Sequence, residues 1–391
     1  MSPSELRASL SLASIFGLRL FGMFVILPVF ALWAQGRPGW SLTLVGIALG
    51  AYGLTQGLLQ LPFGWLSDRH GRKPLMYAGL VCFAAGSFLC AAADSPWAMI
   101  LGRTLQGAGA ISGVAIAMAA DLTRESERGK AMAIIGSTIG GVFALSFVVS
   151  PLLERWIGVP GIFAMTGGLA LAAMAVVRWV VPAAPAAQRA REAMSLAAVL
   201  RDPELARLNV GIFVLHAVLM AIFVVVPVAL VNAGLPATPH SWAFLGAVGA
   251  GVLIALPAFL GRTARLERPV FLAAVALVGA AVLLLGIVLT SLAGILAALV
   301  IFFGGFNVLE AKLPALVSRA APRGSTGAAT GVYSSVQFLG TFAGGAAGGA
   351  IAQHAGFVAV LAACFVATLA WFAIAWKMDD YVPAASAATR N

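Results

Sequence analysis

The chain has 391 residues, of which 61% are hydrophobic and 10% charged. Soluble domains run nearer roughly half apolar and a quarter charged, so an ordinary globular enzyme is excluded, and the mean hydropathy of +0.99 points to a bilayer. The net charge of +10 sits in short loops between apolar runs, which is a topology signal rather than a nucleic-acid surface.

A crossing needs about 20 apolar residues for a ~30 Å hydrocarbon core. Runs free of Asp, Glu, Lys and Arg, such as Leu208 to Gly261, Val270 to Leu309 and Gly324 to Trp376, each have the length of two crossings. In chain order the pattern predicts helices over 10–34, 41–66, 74–93, 96–120, 129–153, 159–181, 206–233, 240–261, 269–290, 293–318, 324–352 and 355–376. Breaks fall at clusters such as Gln35-Gly36-Arg37-Pro38-Gly39 and Asp94-Ser95-Pro96. Met1–Ser9 lacks a cleavable signal pattern, so the first run is expected to stay as a span. Gly and Ala stretches fit helices packed through small residues. Cys82, Cys90 and Cys364 all fall in predicted spans without metal spacing and read as small apolar fillers.

Lys and Arg crowd one set of loops, including Arg7, Arg69, Arg72, Lys73, Arg124, Arg128, Lys130, Arg178, Arg207 and Arg319, whereas the opposite set carries only Arg37 and Arg155. The crowded side is the expected cytoplasmic side. Both termini then lie there, in the inner membrane of a bacterium. The chain also repeats. Phe24-Val25-Ile26-Leu27-Pro28-Val29 returns as Phe223-Val224-Val225-Val226-Pro227-Val228, 199 residues on, and Ser137-Thr138-Ile139 returns as Ser334-Ser335-Val336 at an offset of 197. The expected organisation is a six-helix bundle over 1–181, a cytoplasmic linker over 182–205, a second bundle over 206–376 and a tail over 377–391. Parallel halves with a site between them are an alternating-access architecture.

Charge inside a span is costly, so it points to function. Arg19, Arg103, Glu310 and Lys312 are such residues, with Asp121 at a span edge. Glu310 is the one acid deep in an apolar run. It is a protonation site, a fixed ion-pair partner of Arg19 or Lys312, or a substrate contact. Residues two apart do not share a helix face, which disfavours Lys312. Arg19 either binds an anionic substrate group or balances Glu310. Gln56 and Gln60 share one face and Tyr333 and Gln337 another, each a cavity wall or interhelical glue. His216 and Asn307 complete the polar set, His216 as a proton relay or a packing residue. Phe24, Phe30, Phe213, Phe223 and Phe306 are candidate apolar walls. Nucleotide-binding loops, metal spacing and nucleophile elbows do not occur. No enzyme activity and no cofactor are expected, and energy would come from a gradient.

Gly64-Trp65-Leu66-Ser67-Asp68-Arg69-His70-Gly71-Arg72-Lys73-Pro74 concentrates charge between two spans. It reads as a topogenic loop, a static lock or a gate. Gly64 would allow close helix approach, Asp68 would face a helix N-terminus, and Arg72 would reach Asp121. The stretch Gly261-Arg262-Thr263-Ala264-Arg265-Leu266-Glu267-Arg268-Pro269 is a degenerate counterpart without the aspartate.

Gly64-x-Leu66-x-Asp68-Arg69-x-Gly71-Arg72-Lys73 resembles the signature of the major facilitator superfamily between spans two and three. Arg103-x-x-Gln106-Gly107-x-Gly109, and Asp121 with Arg128-Gly129, resemble its span-four motif and extension. Leu309-Glu310-Ala311-x-Leu313-Pro314 and Gly331-Val332-Tyr333-Ser334-Ser335-x-Gln337-Phe338-Leu339-Gly340 are similar to the YajR-type, drug:proton antiporter-like branch, here expected without an added C-terminal soluble domain. The antiporter motif of span five usually ends in Gly-Pro; here Ser150-Pro151 stands there, while Gly136, Gly140 and Gly141 keep its small face. The resemblance implies an all-α membrane protein of twelve transmembrane helices in two pseudo-symmetric six-helix bundles, the major facilitator fold. It implies a latch of Gly64, Asp68, Arg69, Gly71, Arg72, Lys73 and Asp121, with Asp68 facing the start of span eleven near Gly324. It makes Glu310, Asp121 and Arg103 the proton-coupling candidates. Arg19, Gln56, Gln60, His216, Asn307, Glu310, Lys312, Tyr333 and Gln337 are the substrate-cavity candidates. The expected function is proton-coupled efflux of a small amphipathic organic compound by a monomer in the lipid bilayer. Its partners are that small-molecule substrate and protons, with no nucleic acid and no metal. Uptake of a sugar, amino acid or organic anion by symport or facilitation is the alternative.

Overall fold

The computed structural model describes residues 1–182, 196–237, 239–260, 266–322 and 325–378. Arg189, Arg191 and Glu192 of the linker, most of the counterpart loop at Gly261, Gly324, and the tail from 379 lie outside them. All regular structure among the described residues is helical: α1 (Pro3–Phe24), α2 (Leu27–Ala34), α3 (Leu42–His70), α4 (Arg72–Ala91), α5 (Pro96–Ala108), α6 (Ser112–Asp121), α7 (Arg128–Trp179), α8 (Leu196–Arg201), α9 (Pro203–Asn232), α10 (His240–Ala255), α11 (Glu267–Val288), α12 (Leu292–Ala320) and α13 (Thr326–Ala375).

Among the described residues nine helical segments are long and apolar enough to cross a membrane, the first of them α1 and α2 together. Two of these, α7 and α13, are each two rods joined at a glycine with left-handed backbone, Gly158 (φ 66°) and Gly356 (φ 82°). With α5 and α6 taken as one interrupted crossing, the architecture is consistent with twelve spans. The two glycine joints lie 198 residues apart, so the repeat seen in the sequence extends to backbone geometry.

Helix starts are set by side chains that satisfy the free N–H groups of a first turn. Ser2 and Glu5 form a reciprocal capping box on α1. Ser41, Ser95, Asp202 and Ser291 cap α3, α5, α9 and α12. Glu5 also holds Arg124 by two charge-assisted bonds, of 2.9 and 3.1 Å, which tie the start of α1 to the loop after α6.

Two expected single helices are broken. The first span stops between Phe24 and Leu27 because Pro28 has no N–H and its ring crowds the preceding turn. Ser150 Oγ donates to the Val25 carbonyl at 2.5 Å. The serine that replaces the usual glycine thus supplies a donor at the break. The fourth span is interrupted between Ala108 and Ser112, where glycines press it onto its neighbours. A Cβ on Gly107 would strike the Tyr52 carbonyl, and one on Gly109 the Gly79 carbonyl. At the signature, the expected loop is helix up to His70, and Gly71 (φ 93°) alone makes the turn into α4.

The halves meet along α3 and the first rod of α13. Gly46 lies against Gly345 and Gly349, Gly50 against Phe342, Gly53 against Phe338, Gly57 against Ser335, and Leu61 against Gly331. The rods run antiparallel at backbone contact. A Cβ on Gly53 would sit 2.6 Å from the Phe338 carbonyl oxygen and one on Gly57 2.8 Å from that of Ser335. The other edge of α13 presses on α9 through Gly340 at Phe213 and Gly344 at Ala217.

A second contact between halves is aromatic. Phe147 of α7 lies 5.6 Å from the Phe223 ring and 5.5 Å from the Phe244 ring, on the side away from the basic loops. Gly136 and Gly140 share that face of α7 at 3.6 residues per turn, yet a Cβ on either would meet nothing within 4 Å. On this face of α7 the contact with the second half is thus made at Phe147, and there is room for a side chain at Gly136 and Gly140.

Gly345→Val is expected to pry the α3–α13 seam apart at the end remote from the basic loops, because the Gly46 backbone cannot yield. Spin labels at Arg37 and His354 should report a longer distance than in the wild-type background. An unchanged distance in a folded variant would contradict the assignment of this seam as the closing contact.

Candidate functional site

The signature builds a compact charged joint. Arg72, only 9% exposed at its side chain, donates from Nε to Asp121 Oδ2 at 3.0 Å and pairs through Nη1 with Asp68 Oδ1 at 2.6 Å. It also reaches Ser67 Oγ at 2.5 Å, and Ser67 donates to the Gly64 carbonyl at 2.7 Å. Lys73 donates to the Val181 carbonyl just past α7 at 2.7 Å, a cation at a helix C-terminus. Arg69 stacks on the Trp65 ring at 3.8 Å.

Asp68 is half-exposed and pairs with Arg72; Gly324, its expected neighbour, lies outside the described residues. One expectation needs correction here. Gly64 provides no close approach, since a Cβ there would meet nothing within 4 Å.

The second half carries the same joint with its charges exchanged. Glu267 at the start of α11 accepts from Arg319 near the end of α12 at 2.8 Å, 195 residues after Arg72 and 198 after Asp121. Arg268 donates to the Trp376 carbonyl as Lys73 does to Val181, with both partners 195 residues further on. The counterpart stretch keeps the helix-end cap and reverses the ion pair. Sequence inspection missed this because it sought an aspartate.

Inside the first half lies a polar chain. Arg19, 3% exposed, donates to Ser112 Oγ at 2.8 Å and to Gln56 Oε1. Gln56 Nε2 donates to Gln60 Oε1 at 2.8 Å. Arg103, 1% exposed, donates to the Ala48 carbonyl at 3.3 Å and to Gln106 Oε1 at 2.8 Å, and Gln106 donates to Ser87 Oγ at 2.7 Å. The Tyr52 ring lies between the guanidiniums, 5.6 Å from Arg19 and 5.1 Å from Arg103. Among the described residues no carboxylate pairs with either arginine.

The second half holds the acid. Gln337 Nε2 donates to Glu310 Oε1 at 3.3 Å and faces His216 Nε2 at 2.8 Å. Glu310 Oε2 is 3.8 Å from that histidine nitrogen. His216 Nδ1 faces the Ile212 carbonyl at 3.3 Å. A carbonyl only accepts, so Nδ1 carries a proton and Nε2 of the neutral ring accepts from Gln337. One amide group thus donates a hydrogen to each partner. The Tyr333 hydroxyl is buried without a partner.

The contact of Gly57 with Ser335 places Gln56 and Gln60 at the level of Tyr333 and Gln337, so the two clusters lie at one depth on either side of the seam. The expected residues divide accordingly. Arg19, Gln56 and Gln60 form one group, and His216, Glu310 and Gln337 the other. Arg19 does not balance Glu310, since it sits in the opposite half and bonds to Gln56 and Ser112. Lys312 points away from Glu310, its Nζ 5.6 Å from the Phe259 ring. Asn307 donates to the Val248 carbonyl at 3.4 Å, a link between α12 and α10. Asp121 and Arg103 are each bound into other networks. Of the phenylalanines, Phe223 joins the aromatic contact with Phe147, Phe24 meets Phe143 edge-on at 5.0 Å, and Phe306 lies 6.0 Å from the His216 ring. Tyr52, Ser87 and Ser112 were not anticipated, because nothing local marks a serine or tyrosine that meets an arginine many residues away.

Comparison with known proteins bears on the same arrangement. The family model described as Major Facilitator Superfamily matches residues 12–345. The inner membrane transport protein YajR of Escherichia coli (strain K12) is 40% identical over 334 residues, 84% of this chain and 74% of that protein. The multidrug resistance protein MdtH of Yersinia enterocolitica is 35% identical over 133 residues, 31% of this chain and 33% of its own. The crystal structure of the human organic anion transporter MFSD10 (TETRAN) shares the fold, with a TM-score of 0.72 at 18% identity over 96% of this chain and 100% of that one.

Asp121→Asn is expected to cost about 1.5–3 kcal/mol, the range for a hydrogen bond to a charged group, because Arg72 is nearly buried. Asp68→Asn should cost less than about 1 kcal/mol, as exposed ion pairs do. Thermal unfolding in detergent checks the order; equal losses would mean that Asp121 is not the principal partner of Arg72.

Proposed function

Because the chain belongs to the major facilitator superfamily, we propose that it is a proton-coupled secondary transporter that exports a small, amphipathic organic compound. That it is a membrane transporter of this family follows from the family match and from the relative YajR. The proton coupling and the outward direction are our reading. The observation that carries it is the Glu310–Gln337–His216 cluster, which holds the acidic side chain found within an apolar span among the described residues.

The donor and acceptor inventory explains how such a cluster couples to a proton. With Glu310 ionised and His216 neutral, the Gln337 amide donates to both. A proton arriving on Glu310 turns an acceptor oxygen into a donor. When that proton sits on Oε1, the oxygen that Gln337 contacts, the amide meets it by turning its own oxygen towards Glu310, and that turn withdraws the hydrogen from His216. Protonation therefore changes bonds on α9, α12 and α13 together, and α13 is the rod that forms the seam with α3. A state difference of this kind is what coupling requires. The name of MdtH, a multidrug resistance protein, supports export over uptake. The Lys and Arg bias assigns the basic loops to the cytoplasm. We place both termini there, with bundles over 1–181 and 206–376 moving against each other and a monomer as the working unit. The Arg72 joint at the end of α3 is proposed to act as the latch that stiffens this motion.

Glu310→Gln is expected to abolish transport driven by a pH gradient in membrane vesicles while leaving counterflow intact, because an amide cannot titrate. Undiminished gradient-driven transport by this variant would remove Glu310 from the coupling role.

A further inference from the structure

The Arg19 chain has a direction, and the direction exposes an unused donor. A guanidinium only donates, so the Gln56 oxygen must face Arg19 and its nitrogen must face away. That nitrogen donates to Gln60, which fixes the Gln60 oxygen inward in turn. The Gln60 Nε2 group is left at the end, a donor polarised by a positive charge two residues back along the relay. Gln60 is 5% exposed, and its Nε2 makes no hydrogen bond within the described residues. Beside it is a hollow. Gly113 is partly exposed, and a Cβ added there would meet only the Gln60 amide, with Nε2 at 3.3 Å.

The surroundings state the sign of what belongs in that hollow. Arg19 Nε and the Tyr52 hydroxyl are buried without partners. Arg103 lies across the same Tyr52 ring. Two guanidiniums in an apolar bundle without a carboxylate partner are expensive, and the cheapest remedy is an anion that approaches along the open donor. A carboxylate offers two acceptor oxygens and about four lone-pair sites. A neutral amide or carbonyl would satisfy the donor but leave the charge uncompensated. An ammonium would face a donor and a like charge.

We propose that the hollow between Gln60 and Gly113 is the subsite for a carboxylate on the transported compound, held by Gln60 Nε2 with the Arg19 charge behind it. The word "transported" rests on the transporter reading; the carboxylate subsite does not. The assignment narrows the substrate class to organic acids, or to amphipathic compounds that bear one carboxylate.

The test is thermal unfolding of the purified full-length protein with sodium benzoate, benzamide, benzylammonium chloride or sodium chloride at matched concentrations. Benzoate is expected to raise the unfolding temperature in a saturable manner, and the other three are not. Gly113→Ala, which fills the hollow without altering charge, should weaken the benzoate response roughly tenfold or more, the worth of one charge-assisted hydrogen bond. Gln60→Glu places a carboxylate at the end of the relay. It should melt above wild type without ligand and ignore benzoate. If Gln60→Glu does not fold, Gly113→Ala decides. No response to benzoate, an equal response to benzamide or chloride, a preference for benzylammonium, or an unchanged benzoate response in Gly113→Ala would each overturn the proposal. Benzoate binding that behaves as expected in a protein that moves no solute in proteoliposomes would discard the transporter reading and leave the subsite standing.

Discussion

Backbone contact between α3 and α13 is the constraint on which the arrangement rests. In a bilayer no hydrophobic drive pulls helices together, so close association comes from small residues that allow backbones to meet. Gly46, Gly50, Gly53 and Gly57 follow one another at three- and four-residue steps and present such a strip. Gly345 and Gly349 answer it at one end, and Gly331 admits Leu61 at the other. Because the contact is made by backbone, it tolerates little sideways slip. It therefore fixes the relative depth of the flanking side chains, and it puts the Gln56–Gln60 face and the Tyr333–Gln337 face on one level.

At that level the two halves differ in sign. The first half holds guanidiniums whose hydrogen-bond partners are glutamine, serine and backbone carbonyl. The second holds a carboxylate shared with glutamine and a histidine. In each, a glutamine amide carries the connection, since it offers donor and acceptor on one rigid group. In the first half the amides are oriented by a group that cannot accept, so the chain has one polarity. In the second, the amide stands between two groups that can each gain a proton, so its polarity depends on occupancy. An arginine-oriented amide chain on one side and an amide shared by a carboxylate and an imidazole on the other is the physical asymmetry between otherwise repeated bundles.

Much of the architecture was legible in the sequence because bilayer thickness sets a length scale that composition reveals directly. The twelve apolar stretches, their breaks at Gly158 and near Gly356 and the distribution of Lys and Arg were all readable from runs and punctuation. The interruptions at Val25 and Gly109 were less so, because an apolar run continues through each while the backbone does not. Among site residues, Glu310 with Gln337 and His216 with Gln337 share no helix, and nothing local joins Arg19 to Ser112. Helical periodicity shows which residues share a face and stops there. It paired Gln56 with Gln60 correctly and Tyr333 with Gln337 as neighbours on one face, yet it had no means to show that Arg19 bonds to Gln56 and Ser112 rather than to Glu310.

The signature joint shows why a motif read by its letters undersells a structure. The second half lacks the aspartate that marks the first, and on residue identity the two ends of the molecule look unlike. In space, Glu267 and Arg319 occupy the places of Arg72 and Asp121, and Arg268 caps Trp376 as Lys73 caps Val181. An ion pair joins two helix ends equally well in either order, since Coulomb attraction does not depend on which partner is the acid. What does depend on order is the neighbourhood. Arg72 is donor enough to bind Asp68 and Ser67 as well as Asp121, so one buried cation gathers the end of α3, the start of α4 and the end of α6. Glu267 accepts from Arg319 and so ties α11 to α12. In the first half, α3 with the glycine strip it carries is therefore tied to α4 and α6 through one cation.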